Sequence, residues 1–204
     1  MTSSPTVIVL GGVNGAGKTT SSRALLAGTL KLLKFLNADI IAQGLCGFDP
    51  AAAAIRAGRI MLSEMKELAV QRESFAFETT LAARTYAGWL NRLRESGYEV
   101  HLFYFWLESA DLAVSRVRSR VTKGGHNVPE ATIRQRYLRS VRNLSDLYIP
   151  IVTSWKVYDN TLDGEPYAVA EGNRNEQPFV FDRARWQMVM RSADNGFESG
   201  TDDQ

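Results

Sequence analysis

Cysteine is nearly absent from this sequence: Cys46 is the only one in 204 residues. No intramolecular disulfide can form, which suits a reducing compartment. Histidine is almost as scarce, with only His101 and His126. Two histidines without a cysteine partner argue against a zinc-type metal site. His126 reads as a loop hydrogen-bonder, and His101, inside an apolar run, as a core residue. No apolar stretch approaches the ~20 residues that span a bilayer. The first apolar run, Thr6-Val7-Ile8-Val9-Leu10, is short and has no basic lead-in, so it does not read as a secretory signal. A cytoplasmic protein with no membrane contact is the expectation. An excess of one charge is also missing: 24 Lys+Arg stand against 22 Asp+Glu, a formal net charge of +2. That balance argues against a protein whose main task is coating nucleic acid.

What is present is an ordinary globular composition, 45% apolar and 23% charged, long enough for one domain with a sizeable core. Its most specific feature follows the first apolar run: Gly12-Val13-Asn14-Gly15-Ala16-Gly17-Lys18-Thr19. This is the G-x-x-x-x-G-K-[ST] phosphate loop in its strand–turn–helix setting. Glycines let several backbone N–H groups converge on one anion, and the following helix adds its positive dipole end. The expected ATP-binding set is Gly12, Asn14, Gly15, Ala16, Gly17, Lys18, Thr19 and Thr20. Lys18 reaches the β- and γ-phosphates, and the Thr19 hydroxyl ligates Mg²⁺.

Strand and helix signals alternate downstream. Strands are expected at 6–10, 35–39, 74–79, 98–107 and 156–159, with late candidates at 167–170 and 179–181. Helices are expected from Lys18 to about Leu33, from Ala51 to about Gln71 behind the Asp49-Pro50 cap, and at 83–96 before Gly97. Two more follow, at 110–122 behind Ser109 and from Pro129 to about Tyr148. Such alternation implies parallel pairing in a three-layer α/β sandwich, a P-loop fold with a mostly parallel sheet. Residues 1–192 read as one domain, and 193–204 as a flexible acidic tail.

In this architecture ligands gather at the carboxyl ends of the strands. Asp39 lies there, and a carboxylate near the γ-phosphate can accept a hydroxyl proton and touch the metal shell. It can equally cap the next segment. Glu78, Thr79 and Thr80 offer a carboxylate and two hydroxyls for a sugar or other polyol, or a helix cap. Arg116, Arg118, Arg120, Arg134, Arg136, Arg139 and Arg142 bracket a Gly124-Gly125 loop. Two helices so joined can form a lid that brings two or three guanidinium groups onto phosphates. A solvated basic face is the plainer reading of the others.

Taken in order, these segments resemble the zeta-toxin family of P-loop kinases, in particular a small bacterial branch labelled predicted ABC-type ATPase. The resemblance rests on Gly12–Thr19, Asn37-Ala38-Asp39, Ala57-Gly58-Arg59, Phe75–Leu81, Arg116–Arg120, Gly124–Pro129, Arg136-Tyr137 and Tyr158-Asp159-Asn160. It implies an ATP-dependent kinase acting on a hydroxyl, of the kind that phosphorylates UDP-N-acetylglucosamine, with an antitoxin as a possible partner. On that pattern Lys18 and the loop hold phosphates, and Asp39 is the general base. Glu78 and Thr79 or Thr80 meet the acceptor, Arg120 and Arg136 meet the γ-phosphate, and Asp159 and Asn160 contact the nucleotide. The chain is shorter than the larger toxins, which leaves less material for an acceptor pocket and an antitoxin surface. Three other readings stand beside this one: a nucleoside or nucleotide kinase, a nucleic-acid-end kinase, and a non-catalytic ATP-binding regulator.

Overall fold

A computed structural model of the chain describes residues 4–23, 34–47, 49–125 and 127–194. The expected second half of the first helix, His126 and most of the expected acidic tail lie outside the described residues. In chain order the elements are β1 (Thr6–Gly12), α1 (Lys18–Arg23), β2 (Phe35–Leu36), α2 (Ala38–Leu45), α3 (Pro50–Val70), β3 (Phe75–Thr79) and α4 (Thr85–Glu95). There follow β4 (Glu99–Trp106), α5 (Ala110–Thr122), α6 (Glu130–Asn143), a π turn (Leu144–Tyr148), β5 (Ser154–Asp159), β6 (Tyr167–Asn173), β7 (Phe179–Val180) and α7 (Arg183–Asp194).

The strands form one sheet in the order β2-β3-β1-β4-β5-β6-β7. The first five run parallel, and β6 and β7 return antiparallel at one edge. This is the mostly parallel α/β fold of P-loop proteins. β1 is buried on both faces and reads as a continuous apolar run; β4 alternates over Glu99–Phe103 and is buried on both faces at its end, Tyr104–Trp106, within the apolar run 102–107. Their side chains join Phe75, Phe77, Tyr137, Tyr148 and Trp155 in a single core.

Register sets the site. Leu10 lies opposite Glu78 on one side and opposite Phe103 on the other. The end of β1, where the chain turns into the phosphate loop, is therefore flanked by the carboxyl end of β3. At Gly12 (φ 146°) a Cβ would come within 2.4 Å of the Phe105 carbonyl oxygen, so only glycine lets the strand leave the sheet here.

Four sequence expectations change. The second strand stops at Leu36, because the Asn37 side chain accepts from the Asp39 and Ile40 amides and starts α2. Asp39 therefore stands in the first turn of a helix, not on a strand. α7 was not expected at all, and it carries helix through Asp194, past the expected start of the tail at 193. The helix expected from Pro129 to about Tyr148 is α6 only as far as Asn143 and then relaxes into a π turn. His101 is only half-buried, with Nδ1 2.7 Å from Ser154 Oγ and Nε2 3.4 Å from Glu99, so it is a hydrogen-bonded face residue rather than apolar core.

Candidate active site

The loop between β1 and α1 curls through two left-handed glycines, Gly15 (φ 77°) and Gly17 (φ 76°). It closes on itself where the Ala16 amide donates to the Val13 carbonyl at 3.2 Å. Lys18 is buried, and its ammonium donates to the Gly12 and Val13 carbonyls, both at 2.9 Å. Burial pushes its pKa below the usual 10.5. Glu78, 3.8 Å away, and Asp39 oppose that shift, while Arg120 adds to it. Loss of water thus outweighs two nearby carboxylates.

Glu78 is the hub beside the loop. One of its oxygens accepts from the Thr19 hydroxyl at 2.8 Å and from Asn37 Nδ2 at 2.7 Å. Asn37 is buried and its other side-chain atom caps α2. A single asparagine therefore ties the helix carrying Asp39 to the carboxylate that faces Lys18 and Thr19. A helix first turn is also a favourable place for a negative side chain.

These groups open onto one cavity of about 600 Å³, whose lining includes Asn14, Lys18, Asp39, Glu78, Arg120 and Arg136. Thr79 and Thr80 line it as well, with Met61 and Tyr86 as an apolar wall. Asn14 Oδ1 is buried with no hydrogen-bond partner among the described residues. The two threonines also shape their own loop, since the Leu81 and Ala82 amides donate to their hydroxyls at 3.2 and 3.4 Å. Leu81 sits at φ 56°, an uncommon conformation for a branched residue, with its carbonyl held by Asn143 Nδ2 at 2.7 Å.

The arginines separate by function. Arg120 from α5 and Arg136 and Arg139 from α6 line the cavity. Neither Arg136 nor Arg139 is ion-paired among the described residues. Arg118 and Arg134 are bound into an exposed network with Glu130 and Asp111. Arg116 reaches the other way, donating to the Asn160 and Thr161 carbonyls at 2.6 and 2.8 Å.

Asp159 and Asn160 have work inside the fold. The buried Asp159 carboxylate pairs with Arg185 and accepts from the Thr161 amide at 2.8 Å. The Asn160 side chain donates to the Ala16 carbonyl at 2.8 Å. Thr20 is exposed in the first turn of α1 and is not among the residues that line the cavity.

Two contributors, Asn37 of the Asn37-Ala38-Asp39 segment and Arg139 of the seven lid arginines, were named in the sequence without a role of their own in the site. Asn37 carried a cap signature (a short apolar run, then Asn before Ala-Asp-Ile-Ile) that was readable in principle. Arg139 stood among seven arginines, and only its position three residues after Arg136 on one helix separates it from Arg134 and Arg142.

Oxygen donors suit Mg²⁺, which takes one or two protein groups and fills its remaining positions with water and phosphate. The Thr19 hydroxyl, Glu78 and Asp39 supply a donor set of that kind. Among the described residues no cluster of three or more His, Cys, Asp or Glu forms a dedicated cage. No described helix is long and apolar enough to cross a membrane.

A family model described as an AAA domain matches residues 7–142, well over half of the chain. An uncharacterized protein of Haemophilus influenzae is 29% identical over 126 residues, 62% of this chain and 88% of that protein. Among solved structures, the AvrRxo1-ORF1:-ORF2 complex with ATP superposes with a TM-score of 0.75 at 17% identity, over 98% of this chain and 66% of that chain. The chain thus spans just under two thirds of that protein. The PezAT chromosomal toxin–antitoxin system of Streptococcus pneumoniae gives a TM-score of 0.64 at 16% identity, over 95% of this chain and 86% of that one. At these identities the likeness is one of fold.

Proposed function

The chain belongs to the AAA domain family, and we propose that it is an ATP-dependent phosphotransferase acting on a hydroxyl of a small molecule, a nucleotide sugar of the UDP-N-acetylglucosamine kind first among them. The observation that carries this reading is the shared cavity: Lys18 of the phosphate loop and Asp39 of α2 line the same space, with Glu78, Thr79 and Thr80 between strand and helix.

Phosphoryl transfer asks a protein mainly for positioning and charge neutralisation. Loop amides and Lys18 hold the triphosphate. Thr19 and Glu78, with Asp39 nearby, would hold Mg²⁺, which would supply charge neutralisation to the triphosphate. Asp39 accepts the proton of the acceptor hydroxyl. The hydroxyl oxygen bonds to the γ-phosphorus while the bond to the β-bridging oxygen breaks, and ADP leaves. Arg120 and Arg136 offset charge on the transferring group. Arg139, Tyr86 and Met61 give the acceptor side a cation and an apolar wall, which suits a substrate with both an anionic group and a ring.

A complex with ATP is described for the AvrRxo1 neighbour, and PezAT is a toxin–antitoxin system. The first supports the proposal that this chain takes ATP, and the second the proposal that it has a protein partner of the antitoxin kind. The test is ADP release with Mg²⁺, ATP and UDP-N-acetylglucosamine. Saturable, acceptor-dependent release is expected, with Lys18→Ala inactive and Asp39→Asn slowed about 10²–10⁴-fold at near-unchanged ATP affinity. Full turnover by Asp39→Asn removes the assigned base.

A further inference from the structure

The phosphate loop is backed by a pair of residues from distant parts of the chain, and each stands behind one of its two left-handed glycines. Behind Gly15, a Cβ would come within 3.1 Å of Arg116 Cβ and 3.0 Å of the Ala113 carbonyl. Behind Gly17, it would come within 2.6 Å of Asn160 Nδ2. That same amide nitrogen donates to the carbonyl of Ala16, the residue between the two glycines, at 2.8 Å.

Asn160 is itself held at both main-chain groups. Its amide donates to the Trp106 carbonyl at 3.0 Å, which fixes it to the end of β4. Its carbonyl accepts one arm of the Arg116 guanidinium, and the Thr161 carbonyl accepts the other. The next turn is closed by the Thr161 amide on Asp159 and by the Glu108 amide on the Thr161 hydroxyl at 3.0 Å. Asp159 is anchored in turn by Arg185 of α7. A short polar side chain so fully restrained adds little conformational entropy cost when the loop closes on an anion.

We propose that Asn160, locked by Arg116, is a positioning residue for the phosphate loop: it orients the Ala16–Gly17 peptide so that the loop amides converge on phosphate, and it does not read the nucleobase. This deepens the nucleotide reading given above and rests on it. The geometry leaves the Asn160 amide nitrogen directed at the loop. Arg116, which sequence reasoning kept open as a phosphate arginine, serves here through its fork on two carbonyls. Lysine cannot reproduce that fork.

The experiment compares wild type, Asn160→Leu, Asn160→Ser and Arg116→Lys by titration with Mg·ATP, with inorganic tripolyphosphate and with adenosine. Hydrogen exchange of the Ala16–Thr19 amides is followed in the same proteins without nucleotide. Leucine keeps the branching at Cγ and removes the donor, and serine is the smaller variant should leucine disturb folding. The expected result is an equal loss of affinity for ATP and tripolyphosphate, about tenfold for either Asn160 variant and smaller for Arg116→Lys. Adenosine binding stays as in wild type, and the loop amides exchange faster. A loss for ATP and adenosine with tripolyphosphate unchanged makes Asn160 a base contact and overturns the proposal, as does wild-type exchange and affinity in all variants. If wild type binds neither ATP nor tripolyphosphate, the nucleotide reading fails. The exchange data then decide the brace alone: faster exchange keeps it, and unchanged exchange overturns it.

Discussion

Lys18 shows how one side chain carries two opposed demands. On the proposed function its ammonium meets phosphate, yet it is buried and its pKa lies below 10.5. As pH climbs from that lowered value toward 10.5, the unfolded chain holds more protons at this site than the folded one. The nucleotide-free protein therefore gains stability from this group across the window. ATP binding needs the ammonium, so affinity falls across the same window. Urea midpoints and ATP titrations between pH 7 and 10, each referenced to Lys18→Met, check this; the expected trends run in opposite directions. Arg136 and Arg139 divide differently. Arg136→Ala is expected to lower kcat about 10²–10³-fold, whereas Arg139→Ala raises KM for an anionic acceptor and leaves kcat within a few-fold. Steady-state kinetics with UDP-N-acetylglucosamine separates the two; a kcat effect for Arg139 equal to that for Arg136 would place both on the transferring group.

Among the elements, α2 matters most, because it aims Asp39. Its start depends on Asn37, which satisfies two helix amides and one Glu78 oxygen. Asn37→Ala is expected to cost about 1–2 kcal/mol in denaturant unfolding, and to slow turnover beyond what the stability loss explains. Asn37→Asp, which keeps the cap but sets a carboxylate against Glu78, should restore the helix and not the turnover. The same element marks where the sequence was hard to read. Phe35 to Asp39 has apolar residues at strand-like density, and the cap ends the strand after two residues. The phosphate loop, the Asp49-Pro50 and Ser109 helix starts and the buried strand β4 were legible because each is governed by local chemistry: a glycine turn, a cap, a continuous apolar run. α7 was missed although Trp186, Val189 and Ala193 fall at helical spacing; it gains its place by tertiary contact, Trp186 stacking on Trp155 at 5.6 Å. The antiparallel return of β6 was equally hidden, because strand direction is set by connection length and packing rather than composition.

Across the fold, the candidate site draws on the segments that follow β1, β2 and β3 and on both arginine helices. Its membership was partly readable: Lys18, Asp39 and Glu78 were singled out by type and order along the chain, Arg120 and Arg136 by the family resemblance, and all five line one cavity. The sorting of seven arginines into cavity, brace and surface network was not readable, because helical spacing fixes a face but not what that face meets. The likeness to AvrRxo1 and PezAT extends over nearly all of this chain, whereas the family model ends at 142. The remaining strands and α7 supply the Asp159–Arg185 pair and the Asn160 contact behind the phosphate loop. The proposed function requires transfer of phosphate to an alcohol, not merely binding of ATP. The decisive measurement is incubation of wild-type and Asp39→Asn protein with Mg²⁺, γ-¹⁸O-labelled ATP and a bacterial metabolite extract, followed by mass analysis. The mechanism predicts one labelled phosphomonoester on a hydroxyl compound, formed by wild type and depleted at least a hundredfold with Asp39→Asn. ATP binding with no labelled product beyond inorganic phosphate, or equal product from both proteins, would contradict it.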